Sequence, residues 1–361
     1  MALLFYDGFD TYSADALDYL KAGYTVHTTG ATFTVINNAG NTRHGYGQYL
    51  ENYISAFGTP VGKLFLPSFG EKTEIIFGFA LNVQGRNNPS APTAFLKFYS
   101  RSEVQCSLYM EETSVLTLWN GDRASLLGTT SKNIPSKTWC FVEIRLKIHD
   151  STGTCEIRLD GASIYNGINL DTKASKTATG INSICFSMQT SGTTGSVLSW
   201  IDDIYICDTT GGIHDDFLGD CMSLTRLVNG DTARADFTCS SGSDHYALVD
   251  DSVHDDESTY VESVTDGQYD ILEVEDLPAN TTEVLAVAVE TWCKLEEAGD
   301  TFVINMLNSG GTEYDASDGG LGVQPIYLPR KSIWEKDPNT NAAWTVDNAN
   351  AIKIGYKIDV K

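Results

Sequence analysis

Residues 140–148 alternate apolar with polar: Cys140, Val142, Ile144, Leu146 and Ile148 stand against Glu143, Arg145 and Lys147. This is the period of a strand buried on one face and wetted on the other, and a helix would not sort the residues in this way. His149-Asp150-Ser151-Thr152-Gly153 then favours a turn. The alternation resumes as Cys155, Ile157 and Leu159 against Glu156, Arg158 and Asp160, and Asp160-Gly161 favours the next tight turn. The same period places Ile75, Phe77, Phe79, Leu81 and Val83 on one face, Val104, Cys106, Leu108 and Met110 on another, and Ile184, Phe186 and Met188 on a third. In the run 197–207, Leu198, Trp200, Ile204 and Ile206 are expected to share their face with Asp202, a carboxylate that then needs hydrogen-bond partners.

Helix signals are few. Residues 13–20 read as one short helix with Ser13 as its cap. In the second half, strands are predicted over 284–295 and 301–307. A final strand carries Ile352, Ile354, Tyr356, Ile358 and Val360 on one side, with Lys353, Lys357 and Asp359 on the other. The 361 residues exceed what one core usually holds, and Asp208-Thr209-Thr210-Gly211-Gly212 is a flexible polar punctuation. The expected organisation is all-β: two jelly-roll-like β-sandwich domains in tandem over 1–208 and 217–361, with a linker at 209–216.

Forty-eight acidic against 24 basic residues leave a net charge of -24, a field that repels phosphate backbones and anionic membranes. No nucleic-acid partner and no membrane insertion are expected. The eight cysteines are scattered singly, with no C-x-x-C, and read as buried thiols. Cys221 and Cys239 are the pair to test for a disulfide, because they bracket a turn expected at Asn229-Gly230-Asp231.

Three groups of residues resemble a known fold family. Trp139-Cys140-Phe141-Val142-Glu143-Ile144, then Asp160-Gly161, then Trp200-Ile201-Asp202-Asp203-Ile204-Tyr205-Ile206 resemble the laminin-G or concanavalin-A-like jelly roll, over about residues 1–208. The opening Asp7-Gly8-Phe9-Asp10-Thr11-Tyr12, together with Trp334-Glu335-Lys336-Asp337-Pro338-Asn339-Thr340, is similar to structural proteins of tailed bacteriophages. That resemblance implies a non-enzymatic virion component, a decoration, neck, tail or fibre-associated protein assembled in the host cytoplasm. Its partners would be copies of itself, other virion proteins and a host-surface glycan. A carbohydrate-binding module is the alternative, and a glycoside hydrolase comes third.

Hydrolysis would need two carboxylates flanking the scissile bond. The adjacent Asp202 and Asp203 of a regular strand point to opposite faces and fail that requirement. For glycan contact the candidates are Tyr46, Tyr49, Tyr53 and Trp119, since aromatic rings beside polar groups stack on sugars. For a metal the candidates are Asp250, Asp251, Asp255 and Asp256, hard oxygen donors suited to Ca²⁺, though without calcium-loop spacing. No other cofactor is expected.

Overall fold

The computed structural model describes residues 2–13, 17–38, 40–45, 47–54, 61–87, 92–190, 196–296 and 301–360. It is nearly all-β, as the two-residue period predicts, and divides into two compact units, Met1–Leu224 and Thr225–Lys361. The division falls later than the expected linker at 209–216. Buried acceptors explain the difference: the amides of Gly219 and Ser223 donate to Glu143 and Asp203 of the first unit, so this stretch belongs to that unit.

The first unit contains the strands β1 (Leu3–Asp7), β2 (Thr25–Thr29), β3 (Ala31–Ile36), β4 (Tyr49–Ile54), β5 (Val61–Phe65), β6 (Glu74–Asn87), β7 (Thr93–Ser100) and β8 (Glu103–Met110). These are followed by β9 (Val115–Asn120), β10 (Ser125–Asn133), β11 (Cys140–Lys147), β12 (Gly153–Leu159), β13 (Ala162–Leu170), β14 (Ser183–Thr190) and β15 (Ser196–Asp208). One short helix, α1 (Leu17–Lys21), overlaps the expected one, and its Asp18 accepts the Ser13 amide at 2.9 Å.

Among the described residues, an eight-stranded antiparallel sheet runs β13-β12-β11-β6-β15-β4-β3, with β1 on β15, and a seven-stranded sheet runs β10-β9-β8-β7-β14-β5-β2. They pack face to face as a sandwich. Phe77 and Phe79 of β6 meet Phe186 of β14 at centroid distances of 5.8 and 5.1 Å, and Phe79 meets Phe95 of β7 at 6.0 Å. Each such side chain contributes about 1.5–3 kcal/mol on burial.

The expected face of β15 is corrected by its register. Asp202 pairs with Ala80 but Tyr205 pairs with Gly78, so one extra residue is inserted there, and Asp203 takes φ 49°. Asp202 stays outside with Trp200, and the β-bulge reverses the faces beyond it, so that Ile204 and Ile206 join Ile201 in the core and Tyr205 turns outside.

The second unit contains β16 (Val228–Ala235), β17 (Thr238–Cys239), β18 (Val261–Glu262), β19 (Tyr269–Val274), β20 (Val287–Cys293), β21 (Thr301–Ser309), β22 (Thr312–Asp315), β23 (Leu321–Gly322), β24 (Leu328–Trp334), α2 (Val346–Asn350) and β25 (Lys353–Val360). Among the described residues, β16-β19-β25-β21-β22 with β23 form one sheet. A separate two-stranded antiparallel sheet, β20–β24, packs on it, held by the Asn305 amide donating to the carbonyls of Val289 and Arg330 at 2.9 and 2.7 Å. Val289, Leu307, Trp344 and Ile352 form the core between them.

Asn229-Gly230-Asp231 is not a turn. It lies inside β16, because β19 supplies partners for Gly230 and Asp231. The turn that was to bring Cys221 and Cys239 together is thus absent, the two belong to different units, and all eight cysteines are free thiols.

Candidate functional site

The seven-stranded sheet turns a continuous row of side chains outward. Cross-strand pairing aligns Thr25, Phe65, Cys185, Lys97, Ser107, Trp119 and Leu126, one from each of the seven strands. A parallel row brings His27, Lys63 and Ser187 together, and Tyr109 faces Thr117 further along. Because successive side chains of a strand alternate between faces, the apolar partners Leu64, Phe186, Leu108 and Leu118 point into the sandwich.

At one end of this face the tip of the β9–β10 hairpin folds back onto the sheet. Gly121 and Arg123 adopt φ 58° and 66°, and the Ser107 hydroxyl donates to the Gly121 carbonyl at 2.6 Å. The Arg123 guanidinium then lies over both Tyr109 and Trp119, 5.1 Å from each ring centroid. Asp122 accepts from Lys97 Nζ at 2.8 Å and from the Tyr109 hydroxyl at 2.6 Å. Burial pulls the Asp122 carboxyl upward, but the bonds from Lys97 and Tyr109 outweigh it and hold the group below the usual carboxylate range. Burial, then the bond to Asp122, pushes the Tyr109 hydroxyl up.

Trp119 is fixed edge-on as well. Its Nε1 donates to Thr117 Oγ1 at 2.9 Å, and that hydroxyl donates to Glu111 at 2.7 Å. Phe65 bridges Tyr99 and His27 on the other side, at 5.2 and 5.7 Å. The result is a patch in which the half-buried rings of Trp119 and Tyr109 and the exposed Arg123 and Asp122 have locked rotamers over a buried Lys97, suited to stacking on a planar or sugar ligand while Arg123 donates to its oxygens.

The outer face of the eight-stranded sheet is different. Glu143, expected to be wetted, is 1% exposed and accepts from the Tyr205 hydroxyl at 2.5 Å and from the Gly219 amide at 2.8 Å. Arg43 lies over Phe141 and donates to Asp203 at 2.8 Å and to the Cys221 carbonyl at 3.0 Å, and it pairs also with Asp220. Asp10, Asp202 and Asp203 gather beneath this cover. Burial first, then the charges of Asp203 and Asp7, push Asp10 up to about 7, and burial with the Asp203 charge raises Asp202 as well.

The bulge thus places both adjacent aspartates on one side of the sheet, contrary to the expectation for a regular strand. They are 6% and 3% exposed, and Asp203 is occupied by Arg43 and the Ser223 amide.

Of the expected glycan residues, Trp119 lies on the outward face of the seven-stranded sheet. Tyr49 is buried against Trp139 and Trp200 on the other sheet, and Tyr53, 42% exposed, lies near that sheet's edge. Tyr46 lies outside the described residues. Tyr109, Lys97, Asp122 and Arg123 were missed by sequence reasoning, although Ser107 and Tyr109 occupy the polar gaps of the 104–110 alternation and so signalled an outward face.

The structure brings Asp250, Asp251 and Asp255 near enough for mutual repulsion to raise Asp251, after burial, while Asp255 binds Thr259 and Asp256 pairs with His254. Among the described residues no group of three or more His, Cys, Asp or Glu side chains is placed to hold a metal ion. Among the same residues no helix is long and apolar enough to cross a membrane.

No family model and no curated protein matches the sequence. Among solved structures the chain is similar to a sialidase (13% identity, TM-score 0.41), over 57% of this chain but 18% of the sialidase. It is also similar to the conserved carbohydrate esterase of the Shiga toxin-encoding bacteriophage phi24B (12%, 0.39), over 57% of this chain and 97% of the esterase. A third similarity is to the Emp46p carbohydrate recognition domain in its metal-free form (8%, 0.37), over 56% and 95%. At these scores the ligand must be argued from this chain's own residues.

Proposed function

We propose that the first unit is a glycan-binding module whose ligand lies on the outward face of the seven-stranded sheet. One observation carries the reading: Trp119 and Tyr109 lie side by side under Arg123, with Lys97 and Asp122 hydrogen-bonded next to them on the same face. Rings supply stacking area at little entropic cost, and the exposed Arg123 and Asp122, the latter held from below by the buried Lys97, supply a donor and an acceptor to hydroxyls. The role is binding rather than bond cleavage, because the carboxylates that converge are the covered Asp10, Asp202 and Asp203 of the other sheet.

The same reading ranks ahead of the assembly role implied by the phage resemblance. Stable subunit interfaces need about 800 Å² per partner with an apolar centre. In the first unit, the large exposed hydrophobics among the described residues, Leu20, Tyr53, Leu126, Ile168 and Met222, are scattered over α1, β4, β10, β13 and the stretch after β15. A virion setting, if retained, makes the module a host-surface contact. A glycan array probed with the full chain and with Trp119→Ala tests the proposal: glycans bound by the parent and lost in the variant are expected, and a bound set unaffected by the substitution would refute it.

A further inference from the structure

The chain carries twice as many acidic as basic residues, yet the proposed glycan face gathers Lys63, Lys97 and Arg123. The acids beside them are already engaged. Asp122 is held by Lys97 and Tyr109, and Glu111 accepts from Thr117 with Arg123 3.9 Å away. Lys63 forms no ion pair among the described residues, and its charge is near enough to act on both Asp122 and Cys185. Directly across the strand pair from Lys63 is Ser187, 0% exposed, whose hydroxyl meets no hydrogen-bond partner among the described residues. A buried hydroxyl without a partner is unfavourable, so its retention calls for a partner that the described residues do not supply.

Resting on the glycan-binding reading, we infer that the ligand is an acidic polysaccharide whose uronate carboxylates are received by Lys63 and Ser187. Residues directly opposite on antiparallel strands hold their Cβ atoms about 5 Å apart. An ammonium and a hydroxyl at that spacing match the two oxygens of one carboxylate, and the long stem of Lys63 can turn aside to admit it. Trp119, Tyr109 and Arg123 then carry neighbouring sugar rings of the same chain.

The test is isothermal titration of the full chain with polygalacturonate, alginate and hyaluronan, with carboxyl-reduced polygalacturonate, and with dextran sulfate as a charge-matched polyanion. At least one uronate polymer is expected to bind, with affinity falling about tenfold on carboxyl reduction and about tenfold in Lys63→Gln. Ser187→Ala is expected to fold at least as well as the parent and still to lose about fivefold in uronate affinity. Equal affinity for the reduced polymer, or for dextran sulfate, would overturn the carboxylate assignment while leaving the stacking platform in place. Failure of all three uronate polymers alongside array binding that depends on Trp119 would do the same. Absence of any Trp119-dependent binding on the array would instead remove the glycan reading itself.

Discussion

The two outward faces of the first unit arise from the same alternation and end up in opposite states. On β6 the outward positions are Ile76, Gly78 and Ala80, small enough in the middle to leave a trough, and a Cβ on Gly78 would sit 2.1 Å from the Tyr205 ring. Tyr205, Arg43 and the 217–224 stretch fill that trough, and the acids within it are held by backbone amides and by Arg43. On the seven-stranded sheet the outward positions alternate large and small, Phe65, Lys97 and Trp119 with Cys185 and Ser107 between them, and the β9–β10 tip folds onto one end of that row. On the first face a returning segment is seated over small residues, whereas on the second the half-buried rings of Trp119 and Tyr109 and the exposed Arg123 stay at the surface.

Removing the pin of the covered face should have the largest effect. Arg43→Ala leaves Asp203 buried without its counter-charge, a change that costs about 3–5 kcal/mol. Urea denaturation is expected to show a loss of that order, with binding through Trp119 preserved under native conditions. A loss below about 1 kcal/mol would mean that the cover is held by packing alone.

The covered face should also respond to pH in a set direction. Asp10 ionises near 3.8 when unfolded and at about 7 when folded. Below the first value it is neutral in both states and its contribution to stability is fully present. Between the two, the unfolded chain releases the proton that the fold retains, so stability falls as pH rises, by at most about 4 kcal/mol. Asp10→Asn keeps the acceptor for the Gln48 amide and removes the titration. Its stability should therefore exceed the parent's at pH 8 and approach it at pH 4. Parallel pH profiles for the two proteins would contradict the burial argument.

Much of this architecture was legible in the alternation, because a period of two fixes which residues share a face. Ile75, Phe77, Phe79 and Leu81 are all fully buried, and Val142, Ile144 and Leu146 pair with them across β11. The wetness of the other face was not legible. Glu143 reads as solvent-facing because its neighbours Arg145 and Lys147 are, and only the return of residues 217–219, far away in sequence, buries it. The bulge at Asp203 escaped for a different reason: nothing in Ile-Asp-Asp-Ile marks one inserted residue, and a single insertion reverses every face assignment beyond it. Of the glycan candidates, Trp119 could be picked by residue type. Its neighbour Tyr109 follows from the alternation of 104–110, but Arg123 and Asp122 depend on a hairpin tip folding back, which the sequence marks only by Gly121.

On the outward face of the seven-stranded sheet, effects should appear in binding before stability. Trp119→Ala is expected to weaken glycan binding by about 1–3 kcal/mol, the range for losing a central aromatic contact. The half-buried ring leaves the interior of the sandwich untouched, so the unfolding midpoint should move far less than in Arg43→Ala. A collapse of stability would show that Trp119 is packing rather than platform.

The smallest effects separate two serines of that same face. Ser107 and Ser187 are both fully buried, but the Ser107 hydroxyl donates to Gly121 at 2.6 Å whereas the Ser187 hydroxyl meets no partner among the described residues. Ser107→Ala should cost about 1 kcal/mol, since it strands the Gly121 carbonyl and loosens the hairpin tip that carries Asp122 and Arg123. Ser187→Ala removes an unsatisfied group and should leave stability unchanged or raised by under about 1 kcal/mol. Urea midpoints measured for both variants decide between the two roles. Equal losses would mean that Ser187 is bonded in solution to a group of the protein itself, and the contrast between a self-satisfied face and one that lacks a ligand would then rest on Lys63 alone.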